Sequence, residues 1–147
     1  MSYITNSDIE TRVGHAAYVQ LADDDGDGSA DPAVVDELRL AAESEVNSYL
    51  ARRFRVPIDL ATHTDLADLL KSITLDLAEY RLRCRRPPVP KDAGDKFAHA
   101  IQWLRGVADA RIELPSALPV ASGTARGTLG LATGENRLLT RDELADH

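Results

Sequence analysis

Residues 23–31 read Asp-Asp-Asp-Gly-Asp-Gly-Ser-Ala-Asp, and this is the one stretch of the chain whose side chains and spacing suit inorganic chemistry. A calcium loop takes oxygen ligands from its first, third, fifth, seventh and ninth positions, with glycine at the sixth to allow the sharp turn. Asp23, Asp25, Asp27 and Asp31 fall on the first, third, fifth and ninth positions, Gly28 on the sixth, and the carbonyl of Ser29 on the seventh. The twelfth position, normally a bidentate glutamate, is Val34, and Asp36 and Glu37 lie beyond the loop. A helix-loop-helix calcium sensor is therefore not expected. Two readings stand. The loop holds one calcium ion, which neutralises carboxylates that otherwise repel one another, or it is a solvated acidic turn whose last member, Asp31, caps the following helix. Either role is structural rather than catalytic.

Little else points to chemistry. His15, His63, His99 and His147 are scattered, without the paired His or Cys spacing of zinc sites. Cys84 is alone, cannot form an internal disulfide, and reads as a small structural side chain of a protein assembled in a reducing cytosol. There is no Gly-x-Ser-x-Gly nucleophile elbow, and Gly123-Thr124-Ala125-Arg126-Gly127 lacks the Lys-Ser/Thr ending of a phosphate loop. A metal-assisted hydrolase built on the acidic loop would also need a general base and an open coordination position, and the sequence identifies neither. The protein is expected not to be an enzyme.

Composition narrows the class of partner. The net charge is −7, and residues 1–31 hold seven acids against one base, while residues 32–86 hold nine of each and residues 87–147 hold eight acids against seven bases. The excess negative charge is thus local to the N-terminal end. No basic stripe of the kind that reads nucleic acid is present. No apolar run approaches the roughly 20 residues that cross a bilayer, and Met1-Ser2-Tyr3-Ile4-Thr5 lacks a signal peptide's basic and apolar regions, so a soluble, unprocessed protein is expected.

The elements that position the loop are helices. Thr5 with Asp8 forms a capping box for a short helix to Gly14, and a second apolar segment spans Ala16 to Leu21. Asp31-Pro32 opens a long helix, with Asp as N-cap and Pro at the first helical position. Its stripe is Val35, Leu38, Ala42, Val46 and Tyr49, and it runs to about Phe54. After Pro57 a second long helix starts near Thr64 or Asp65, with Leu66, Leu69, Leu70, Ile73, Leu77 and Tyr80 on one side. Pro87-Pro88-Val89-Pro90 reads as a stiff polyproline linker. A third helix carries Phe97, Ile101, Leu104 and Ala108 on one face with Trp103 beside it. The expected fold is all-α, a small bundle of three main helices plus short N-terminal ones over residues 1–114.

Residues 115–147 form an extended C-terminal arm rich in Pro, Gly, Ala, Ser and Thr, ending in a second capping signature, Thr140-Arg141-Asp142-Glu143. With little periodic apolar surface, the arm is expected to order only against a partner, through Leu129, Leu131, Leu138, Leu139 and Leu144. Arg52, Arg53 and Arg55 end the first long helix, and Arg81, Arg83, Arg85 and Arg86 end the second. Cations there complement the helix dipole. Seven arginines exceed that need, so Arg52, Arg53, Arg55, Arg81 and Arg85 are candidates for carboxylates of a neighbouring subunit.

The order of these features resembles the small neck proteins of Mu-like phages and prophages, a family of head-to-tail connectors. The matching residues are Tyr3-Ile4-Thr5, Asp8, Arg12 and Gly14, the loop from Leu21 to Asp31, and then Val34-Val35, Ala41-Ala42, Glu45, Tyr49-Leu50, Arg53 and Val56-Pro57. Trp103-Leu104, Ile112-Glu113-Leu114 and Thr140-Arg141-Asp142 complete the set. Phe54 stands where the pattern has Tyr, and Asp109-Ala110 where it usually has a glycine. The resemblance implies an adaptor that forms a ring, usually dodecameric, between the portal protein and a downstream neck or tail-completion protein. Such a ring sits in the virion neck, is assembled in the bacterial host cytoplasm, and lets genomic DNA pass without specific binding. A free calcium-binding helical module is the alternative.

Overall fold

In a computed structural model, residues 2–115 and 118–120 are described, and they form five helices: α1 (Asn6–Val13), α2 (His15–Ala22), α3 (Pro32–Leu50), α4 (Thr64–Arg83) and α5 (Lys91–Ala108). The all-α expectation is met. The three long helices pack on one another, while α1 lies against α4 and α3, and α2 against α1. α3 and α4, of 19 and 20 residues, are each about 30 Å long.

The capping box at α1 forms as its sequence requires. The Thr5 hydroxyl accepts from the Asp8 amide at 3.2 Å and the Asp8 carboxylate accepts from the Thr5 amide at 2.8 Å. Pro32 takes the first turn of α3, and Asp31 has the extended backbone of an N-cap. Its carboxylate makes no cap, however, because it turns back into the acidic loop and accepts from the Asp24 amide at 2.8 Å.

Burial follows most of the expected apolar stripes, with Leu38, Tyr49 and Tyr80 only half-buried. Val35, Ala42, Val46 and Leu50 line the inner face of α3, Leu66, Leu70, Ile73, Leu77 and Leu82 that of α4, and Ala100, Ile101, Leu104 and Val107 that of α5. Leu69, expected on the α4 stripe, is exposed, whereas Glu43 and Glu79 are buried. Phe97 is half-buried and stacks on Tyr80 with ring centroids 4.2 Å apart. Between α4 and α5 residues 86–88 form a bend where an extended polyproline linker was expected.

α5 ends in a Schellman motif. The Arg111 amide reaches the Gly106 carbonyl at 2.8 Å and the Ala110 amide reaches Val107 at 3.1 Å. Such a motif needs a left-handed residue, and Ala110 sits there at φ 60°. A glycine, which the resemblance leads one to expect here, would meet no Cβ penalty at that angle. Ala110→Gly should therefore raise stability by about 1 kcal/mol, read as a higher urea midpoint at constant slope. A lower midpoint would show that the αL geometry carries no penalty here.

The body extends beyond its expected limit at residue 114. Leu118 is buried in the core, the Arg55 amide donates to the Pro119 carbonyl at 2.8 Å, and Phe54 and Val120 form an isolated antiparallel bridge. Composition places the start of the arm at residue 115, but composition does not register a single leucine, Leu118, that joins the core. Leu129, Leu131, Leu138, Leu139 and Leu144 lie outside the described residues.

Candidate functional site

The acidic loop is folded around its own carboxylates. Asp23 accepts from the amides of Gly26 and Gly28 at 2.7 and 3.0 Å, Asp25 from the Asp27 amide at 3.1 Å, and Asp27 from the Ser29 amide at 2.7 Å. Gly26 and Gly28 adopt φ of 79° and 85°, which an L side chain rarely adopts, so glycine spacing sets the turn. The result brings oxygens of Asp23, Asp25 and Asp27 within 4.8 Å of one another.

That donor set suits a hard cation, which takes carboxylate and carbonyl oxygens. Asp23, Asp25 and Asp27 converge; Asp31 and Ser29 serve the loop through the Asp24 and Asp27 contacts instead. Val34 cannot supply the twelfth-position oxygens, and Asp36 is engaged elsewhere, accepting from Asn6 Nδ2 at 2.8 Å and Arg39 Nη2 at 3.3 Å. The carboxylates titrate apart. Although desolvation pushes Asp23 up, the amides of Gly28 and Gly26 hold it below the ordinary value. For Asp25 the Asp27 amide pulls down, but desolvation and the negative charges of Asp27 and Asp31 leave it raised.

The loop is tied to the far end of α4. Arg85 donates through Nε to the Leu21 carbonyl at 3.0 Å and pairs through Nη2 with Asp24, while Arg86 Nη2 reaches the Asp23 carbonyl at 3.0 Å. Arginines that the helix dipole alone did not require thus clamp elements of the same chain. Arg81 pairs with Glu45 on α3 at 2.6 Å. Arg52 meets Asp109 at 3.2 Å, and Arg53 binds the carbonyls of Val107 and Ile112 and the Glu113 carboxylate, joining α3 to the end of α5. Of the five arginines assigned to a neighbour, only Arg55 has a side chain without a hydrogen bond or ion pair among the described residues.

Two buried carboxylates organise the rest, and neither stands out as a motif. Glu43 Oε1 accepts from the Ser2 hydroxyl at 2.5 Å and from the amides of Tyr3 and Ile4 at 2.9 and 3.2 Å. The Tyr3 hydroxyl donates to Asn47 at 2.6 Å and accepts from the Ile58 amide at 2.9 Å. This hooks the segment before α1 onto α3 and the α3–α4 connection. Glu79, facing α1 and α5, collects Arg12, Arg83 and Lys96. The sequence signal was an acid adjoining an apolar stripe, Glu43 next to Ala42 and Glu79 next to Ala78.

Residues 3–129 match the family described as Bacteriophage Mu, Gp36. The chain belongs to that family. As a Gp36-family member it is a phage structural protein. The matched stretch opens at Tyr3, the residue held by Glu43 and Asn47, and runs through the acidic loop and all five helices. No curated protein matches the chain. Among the described residues no helix is long and apolar enough to cross a membrane.

The attachment of α1 gives this Gp36-family body a pH dependence. The Lys71 ammonium, with the Thr5 amide and hydroxyl, lowers Asp8 against a smaller desolvation effect, and Asn6 followed by Arg39 lowers Asp36. Folded values below unfolded ones mean stability present above the ordinary carboxylate range and lost as pH falls through the folded values. Asp76 acts oppositely: burial outweighs the adjacent Arg12 and raises it, so its contribution is lost as pH rises. Asp23, Asp59 and Asp95 are lowered as well and Asp25 is raised, so with five carboxyls against two the melting temperature should fall on acidification below the carboxylate range. Asp8→Asn should make that fall shallower; an unchanged slope would remove Asp8 from the account.

Proposed function

We propose that this protein is a head-to-tail connector subunit, an adaptor whose copies form a ring, dodecameric in the usual arrangement, between portal and tail. The observation that carries this reading is the Gp36-family match over residues 3–129 of an all-helical body. The architecture supports it. Clamps such as Arg53 and Arg81 and the Glu43 hook rigidify the body against load, and 27 residues, 121–147, follow the bridge at Val120. The role is structural and not enzymatic: the portal and a downstream neck or tail-completion protein are the partners, and DNA passes without specific contact. Assembly belongs to the host cytoplasm and the finished position to the virion neck. Size measurement and electron microscopy of the protein with its portal test the reading, with annular complexes expected and an unbound monomer overturning it.

The convergence of Asp23, Asp25 and Asp27 supports a second reading, that the loop binds one calcium ion and braces the start of α3 against the end of α4. Without a twelfth-position carboxylate the affinity is modest, in the range about 10⁻⁴–10⁻³ M of weaker calcium modules. Calorimetric titration of chelator-treated protein should show binding heat that weakens in Asp25→Ala. No heat together with an unchanged melting temperature would leave the loop a solvated turn.

A further inference from the structure

We propose that the groove lined by Leu38, Tyr80, Arg81, Cys84 and Phe97 receives the Thr140–His147 segment of a second copy of this chain, with Leu144 as the anchor. The inference rests on the ring reading and names its contact.

The groove lies where α3, α4 and α5 meet, with a volume of about 320 Å³. Its walls are largely apolar: the stacked rings of Tyr80 and Phe97, the half-buried Leu38 and the exposed thiol of Cys84. One wall is cationic and under-used. Arg81 gives Nη2 to Glu45, while its Nε is buried without a partner among the described residues.

The occupant is chosen by chemistry and by position. Thr140-Arg141-Asp142-Glu143-Leu144-Ala145-Asp146 carries a capping box and one leucine flanked by three acids and one base. A short helix from it would offer Leu144 to the apolar walls and carboxylates to Arg81. Apolar anchors in a small groove with a charged rim are the usual form of such docking. The described chain ends at Val120, bridged to Phe54 beyond the C-terminal end of α3, whereas Leu38 lies about 18 Å back along that helix from Leu50. From Val120 to Leu144 are 24 residues, enough to reach about 80 Å when extended, more than the width of a body of this size. Donor segment and acceptor groove are different patches of one molecule. Such heterologous pairing, repeated by rotation, closes into rings.

Cys84 in the groove makes the contact directly testable. Ala145→Cys places a second thiol beside the anchor while leaving Leu144 in place, and the full chain is oxidised mildly and run on a non-reducing gel. Interchain products that vanish in the Cys84→Ser background are expected, and Leu144→Asp should reduce them at least tenfold with the helical circular dichroism unchanged. A bridge within single chains overturns the proposal, since the segment then docks on its own body. Oligomers by light scattering without any bridge overturn it while leaving the ring reading intact. A monomer with no bridge, even with the portal present, overturns both.

Discussion

Replacing Glu43 with alanine should destabilise the body by about 3–5 kcal/mol, the cost of breaking a buried, hydrogen-bonded charge. The side chain is the acceptor for the Tyr3 and Ile4 amides, both buried, and for the Ser2 hydroxyl. Each orphaned buried amide costs about 1–3 kcal/mol, and Arg39, 3.8 Å away, loses its countercharge. Against a typical total stability of about 5–15 kcal/mol the loss is large. It matches a leucine-to-alanine change at Leu77 or Leu104, about 2–5 kcal/mol. Glu43→Gln keeps one acceptor oxygen and should cost about 1–2 kcal/mol. Urea unfolding measures both. A Glu43→Ala effect under about 1 kcal/mol would mean that the N-terminal hook is held by Tyr3 and Ile4 packing alone.

Truncation after Val120 should separate folding from assembly. The body retains Leu118, the Arg55–Pro119 hydrogen bond and the Phe54–Val120 bridge, so its melting temperature should stay within about 2–4 °C of the full chain's, the shift that a change below about 1 kcal/mol gives. On the connector reading proposed above, ring formation should be lost, since that reading assigns the contact with a neighbour to Leu129, Leu131, Leu138, Leu139 and Leu144. Cutting earlier, after Leu114, should instead lower the melting temperature, since Leu118 leaves the core. Full ring formation by the chain truncated after Val120 would remove the arm from the assembly contact.

What was legible in the sequence was whatever depends on local periodicity and capping. Thr5 with Asp8, Pro32 at the start of α3 and the apolar spacing of Val35, Ala42 and Val46 are short-range signals, and all three appear in the fold. The acidic loop was equally legible, because glycine at Gly26 and Gly28 and alternating aspartates act within nine residues. Long-range polar pairing was not. Nothing local marks Glu43 as the acceptor for Tyr3, 40 residues away, or Arg85 as the clamp on Leu21, 64 residues away. The arginines at helix ends satisfy the dipole whether or not they reach another element, so their sequence positions leave the choice between a neighbour and the same chain open. Leu118 was missed because a single buried leucine has no periodicity.

The claim that these copies build a ring at the neck is tested most directly by mixing purified full-length protein with its portal, measuring complex mass, and imaging the same sample by electron microscopy. The account predicts an annulus of many copies, twelve in the usual arrangement, seated on one face of the portal. Protein that remains monomeric and unbound beside intact portal rings would contradict it.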